Sequence, residues 1–218
     1  TYPEPLGRLG QQHHIAVRII DFSKLTGGIQ HAKFFIVDRE EIFLGSQNFD
    51  WRALSQIHEL GLRIRHAEAV RLYGEVFDLD WKLSETNDRG SIASMLTSRR
   101  AQTPFRIVRA GTDTVTFWPT MSPRGLIADS TLWDERNIVE LIDGARSDIF
   151  CQVLTYSPAG RDRSPYTVIG DALKRAASRG VRVALPRNRQ LRNNALRQGR
   201  CGAPSILVRQ RSRASGWH

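Results

Sequence analysis

The sequence predicts an α/β protein in which a mixed sheet is flanked by helices. Three observations predict it. A β-type alternation from His31 to Val37 is followed by a second short apolar run, Ile42-Phe43-Leu44. Residues 67–84 carry apolar side chains at helical spacing, and a helix, strand, helix, strand succession follows Pro119. Parallel strands joined by crossover helices are the usual outcome of that last pattern.

Taken in order, Ala16-Val17-Arg18-Ile19-Ile20 predicts a strand within residues 15–22, leading through Gly27-Gly28 into the next segment. From His31 the side chains of an extended strand alternate. His31, Lys33, Phe35 and Val37 then share one face, and Ala32, Phe34, Ile36 and Asp38 the other. Asp38-Arg39-Glu40-Glu41 predicts a turn, and the returning run ends in Gly45-Ser46-Gln47-Asn48, so a hairpin delivers Ser46 and Asn48 near His31 and Lys33. Residues 60–65 predict a further strand. Val70, Leu72, Tyr73, Val76, Phe77, Leu79 and Trp81 then mark the inward face of an amphipathic helix. Residues 85–102 are polar and mixed, broken by Asn87-Asp88-Arg89-Gly90, and read as a linker. A β pair is expected at 105–108 and 114–118. After Pro119 the pattern predicts a helix at 137–145, a strand at 148–156, a helix at 166–178 and a strand at 181–185. The organisation expected is therefore 1–84, a linker with the β pair at 85–118, a second unit at 119–186, and a basic tail at 187–218.

Length and a 40% apolar content allow one or two buried cores in 218 residues. No apolar run has the length of a membrane span or signal sequence. Cys151 and Cys201 are too few to argue a disulfide framework, and the compartment stays open. The formal charge of +10 is unevenly placed: residues 187–218 hold eight Arg and no Asp or Glu, leaving +2 for the remainder. Such a tail can screen phosphates, although it lacks Lys and apolar periodicity.

The segment 31–59 is where the chemistry concentrates. A phosphodiester under attack gathers negative charge on its non-bridging oxygens, so a fixed cation and neutral donors aimed there lower the barrier. Lys33, Asn48 and Ser46 suit that task. An imidazole can attack phosphorus and split one displacement into two, provided the attacking nitrogen is neutral and the other is held by a partner. His31 is the candidate nucleophile. Glu59, eleven residues beyond Asn48, is the candidate partner. Trp51 and Arg52 offer an aromatic face and a cation to a substrate, with the core as the other home for Trp51. No His/Cys cluster has metal-binding spacing.

His31-x-Lys33-x4-Asp38 followed by Gly45-Ser46-x-Asn48 resembles the HKD motif of the phospholipase D superfamily. The likeness extends through Asp50-Trp51-Arg52 and Glu59-Leu60-Gly61, and over 34–61 is greatest with the branch of lysosomal phospholipase D-like exonucleases and their bacterial and viral relatives. The resemblance implies a phospholipase D-like α/β fold built of two halves. It implies chemistry without metal or cofactor, with one His as nucleophile and another as general acid. It makes His31 a catalytic His, Lys33 and Asn48 phosphate ligands, Ser46 a lesser contact, Glu59 the orienter of His31, and Asp38 a structural residue of the motif.

A second H-x-K-x4-D is absent, since none of His13, His14, His58, His66 and His218 is followed two residues later by Lys. The chain therefore reads as the end of one half joined to the opening of the next, a fragment lacking its second motif. Three functions follow: a phosphodiesterase acting on phospholipid or single-stranded nucleic acid, completed by a second half-site; a single-motif nuclease in which two copies share the site; or an inactive phosphate-binding module. Alone, the fragment is expected to be weak or silent.

Overall fold

The hairpin expected around Asp38 is the centre of the first unit. The computed structural model describes residues 3–96, 104–108, 114–153, 156–160 and 162–185. Two short helices, α1 (Pro3–Gly10) and α2 (Phe22–Thr26), come first. Strands β1 (Lys33–Val37) and β2 (Glu41–Gly45) follow, then helix α3 (Trp51–Ser55) and strand β3 (Gly61–Arg65). The three strands form one antiparallel sheet in the order β1-β2-β3. Asp38 and Arg39 both take left-handed backbone, with φ of 53° and 58°, and the Glu40 N–H donates to the Val37 carbonyl at 3.0 Å. That twist suits the strands of a hairpin, and Asp tolerates it better than most residues.

Helix α4 (Ala67–Thr86) covers one face of this sheet. His66 caps it, its Nδ1 accepting the Ala69 N–H at 3.3 Å, and Asn87 closes it in left-handed conformation with its N–H donating to the Leu83 carbonyl at 2.7 Å. Its first half buries Ala69, Val70 and Leu72 in a cluster with Ile42 and Ile64, joined by Phe34, Ile36 and Leu44. Its second half buries Leu79 and Leu83 against Phe22, Leu25 and Leu126. Leu83→Ala, at a fully buried position, is expected to cost about 2–5 kcal/mol in chemical denaturation.

Residues 15–21 do not form the expected strand. Their polar groups bond to α4: the Asp21 N–H donates to Asn87 Oδ1 at 2.8 Å, and Arg18 donates to the Trp81 carbonyl at 3.0 Å and pairs with Glu85. The expected linker is partly helical, with a 3₁₀ turn at Arg89–Ser91 and helix α5 (Ile92–Met95). Ile92, Met95 and Leu96 pack on the Leu79/Leu83 cluster, which gives that helical stretch its reason. Strands β4 (Phe105–Val108) and β5 (Thr114–Phe117) form the expected antiparallel pair.

The chain divides into two compact units after Trp133 rather than near Pro119. Ile127 and Leu132 share the buried cluster of α4 and the sheet, which keeps residues 119–133 with the first unit. The second unit contains α6 (Asp134–Asp143), β6 (Asp148–Phe150), α7 (Val168–Ser178) and β7 (Arg182–Ala184). β6 and β7 pair in parallel, joined through α7 as the sequence pattern predicts. Ile142, Ala172, Ala176 and Val181 form its core. The ordered strands are shorter than the apolar runs that announce them. The basic tail, 187–218, lies outside the described residues.

Candidate active site

The sheet face turned away from the α4 core carries Lys33, Phe35 and Val37 of β1. Register sets Lys33 beside Gly45 and Gly45 beside Gly61, so a row of one lysine and two glycines crosses all three strands. Glycine is required there. A Cβ on Gly45 would lie 2.3 Å from Gln47 Oε1 and 2.8 Å from the Leu60 carbonyl, and one on Gly61 would lie 2.8 Å from the Phe43 ring. Gly45→Ala is therefore expected to destabilise the unit by about 1–3 kcal/mol, through overpacking against backbone, as read in a urea titration.

Gln47 fills the space those glycines leave. It is buried, its amide lies against both, and Oε1 has no hydrogen-bond partner among the described residues. Sequence reasoning passed over it. The only signal was the glycine pair, which acquires meaning once the register sets Gly45 beside Gly61.

Ser46 and Glu59 meet at the end of this row. Ser46 Oγ donates to Glu59 Oε2 at 2.6 Å and accepts the Leu60 N–H at 3.1 Å, while the Ser46 N–H donates to the Leu60 carbonyl at 3.0 Å. Burial pulls the Lys33 ammonium below its usual pKa, and the Glu59 carboxylate partly offsets this. Lys33, Ser46 and Glu59 are thus one electrostatic group.

The other candidates stand as follows. His31 is exposed and precedes β1, so the strand expected from position 31 starts two residues later. Glu59, expected to hold His31, is held by Ser46; among the described residues no hydrogen bond joins Glu59 to His31. Asn48 is exposed just beyond β2. Asp38 occupies the hairpin turn at the opposite end of β1 from Lys33, a structural position. Trp51 is 67% exposed and so is not a core residue, and Arg52 beside it is exposed too. Asp50 caps α3 beneath them, its Oδ1 accepting the Arg52 and Ala53 N–H groups, each at 2.9 Å.

A cleft of about 260 Å³ adjoins Lys33 and is bounded by Gln30, Ala32 and, from α4, Asp80 and Trp81. Burial pushes the Asp80 carboxyl up to about 6, opposed by a hydrogen bond from Gln30. A carboxyl whose folded pKa is raised stabilises the fold while protonated. That contribution is complete below the unfolded value of 3.8 and is lost as pH rises through about 6. Asp80→Asn is accordingly expected to gain roughly 1–2 kcal/mol over the parent at pH 8 and nothing at pH 3.5, after discounting the shift for solvent screening. Paired urea titrations at the two pH values check it. A larger cleft, about 680 Å³, runs along the outer edge of β1 against α4 and is lined by none of His31, Lys33, Asn48 or Glu59. Among the described residues no group of His, Cys, Asp and Glu could hold a metal ion, and no helix is long and apolar enough to cross a membrane.

Residues 3–81 match the family described as cardiolipin synthase, PLD-like domain. The chain is 34% identical over 179 residues to the 5′-3′ exonuclease PLD3 of Rattus norvegicus, covering 78% of this chain and 36% of that protein. It is 33% identical to PLD3 of Homo sapiens over the same span, with the same coverage. To the 5′-3′ exonuclease PLD4 of Mus musculus it is 29% identical over 185 residues, 79% of this chain and 36% of that protein. It spans about a third of the length of these relatives. With the HKD-type hairpin, the Gly-Ser-x-Asn return and these matches together, the chain belongs to the phospholipase D superfamily.

Proposed function

We propose that this chain carries one half-site of a phospholipase D-type phosphodiesterase. The observation that supports it most is the coupling of Lys33, Ser46 and Glu59, with Glu59 accepting from Ser46 and its charge acting on Lys33, two residues from His31. In this reading a neutral His31 nitrogen attacks phosphorus in line, the bond to the leaving oxygen breaks, and a phosphohistidine forms. Lys33 and Asn48 take the charge on the non-bridging oxygens. A second half-site, from elsewhere in the full-length protein, protonates the leaving oxygen and later activates the water that releases the phosphomonoester from His31. Trp51 and Arg52 line the approach.

The relatives named as 5′-3′ exonucleases favour nucleic acid over phospholipid as the substrate. The test compares the full-length protein and this chain on bis-p-nitrophenyl phosphate, 5′-labelled single-stranded DNA and phospholipid vesicles. Turnover of DNA by the full-length form supports the reading. Turnover of phospholipid alone moves the substrate to lipid. Activity of this chain as a dimer transfers the second half-site to another copy, and phosphate binding without turnover by either form would leave an inactive module.

A further inference from the structure

His31 lies in irregular backbone, where no strand ladder holds it, and Glu59 is occupied by Ser46. Its neighbours provide a different anchor. The Gln30 amide spans the histidine: Nε2 donates to the Asp80 carboxylate on α4, and Oε1 accepts the Ala32 N–H at 2.8 Å. One side chain thus grips the residue after His31 and ties that segment to a helix rigidified by two buried clusters.

We propose that Gln30 and Asp80 are positioning residues for His31, stapling the backbone on both sides of it to α4 so that its imidazole is held at the Lys33 phosphate site. This rests on the phosphohistidine reading above. Asp80 occupies a half-buried place in a helix flanked by Leu79 and Trp81, where a carboxylate is costly and an apolar residue would pack more cheaply. Its described side-chain bond is to Gln30. The other charged groups lining the cleft are Lys33 from β1 and Arg18, which lies over the Trp81 ring at 4.2 Å. Upstream anchors at Arg18 and Asp21 fix the chain ten or more residues before His31, too far to set its orientation. A reacting group misplaced by about 1 Å loses on the order of 10²-fold in rate.

The test uses the full-length protein, with steady-state kinetics on bis-p-nitrophenyl phosphate for Gln30→Ala, Asp80→Leu, Asp80→Asn and His31→Ala. Gln30→Ala and Asp80→Leu are expected to lower kcat about 10- to 100-fold with KM within about threefold. Asp80→Asn, which still accepts from Gln30 through its amide oxygen, is expected to recover kcat to within about threefold of the parent. Asp80→Leu removes a half-buried carboxyl, so a thermal midpoint at or above that of the parent separates lost positioning from lost folding. The proposal is overturned if Gln30→Ala keeps kcat within twofold, if the loss falls on KM alone, or if Asp80→Asn is as slow as Asp80→Leu. Full activity in His31→Ala would instead remove the phosphohistidine reading itself.

Discussion

His31→Ala is expected to lower turnover by the full-length protein about 10⁴-fold or more, the scale on which enzymes lose rate when a covalent nucleophile is deleted. Neither Lys33 nor Ser46 can take over, for physical reasons visible in the fold. Lys33 is a cation whose electron pair is bound to a proton, and Ser46 is committed to Glu59 and to the Leu60 backbone. The loss is expected in kcat, because in the proposed site Lys33 and Asn48 hold the anion in the ground state and His31 adds little to that binding. Base-quenched mass spectrometry on a slow substrate checks the same step from the other side: a phosphoryl group on the peptide containing His31 in the parent, and none in the variant. Activity within tenfold of the parent would mean that the reaction does not pass through this residue.

Lys33→Met is expected to reduce kcat about 10²- to 10³-fold, the usual cost of removing one preorganised donor to a developing oxyanion. Half-burial makes this cation effective, since its field is less screened than that of a surface lysine, and Glu59 keeps the site from holding an uncompensated positive charge. Binding of inorganic phosphate is expected to weaken alongside, measured by titration calorimetry. Lys33→Arg recovers only part of the loss, because a planar guanidinium spreads over a wide fork the charge that lysine concentrates on one compact ammonium. Undiminished kcat in Lys33→Met would place the transition-state charge elsewhere.

The candidate residues are legible in the sequence because their types and spacing are local. His31, Lys33, Ser46, Asn48 and Glu59 lie within 29 consecutive residues, and a hairpin needs only a turn and two apolar runs to bring most of them together. The helix over 67–84 was legible for the same reason and extends two residues further, to Thr86. The strand expected at 15–22 was not. Its apolar, β-branched run satisfies the pattern, but a strand also needs a neighbour to bond, and these residues bond to α4 instead. Periodicity reports which side chains are buried and is silent on which backbone partner is available.

The sequence by itself determined the class of fold, the hairpin with its turn at Asp38, the parallel pairing around α7, and which candidate residues concentrate between His31 and Glu59. Tertiary structure decided the rest. It set Gly45 beside Lys33 and Gly61 beside Gly45, and buried Gln47 against the two glycines. It gave Glu59 to Ser46 and joined Gln30 to Asp80, fifty residues away. Patterning and turn propensity act over a few residues and can be read along the chain, whereas strand register and the docking of 15–32 onto α4 depend on surfaces that exist only after the helix and sheet have packed.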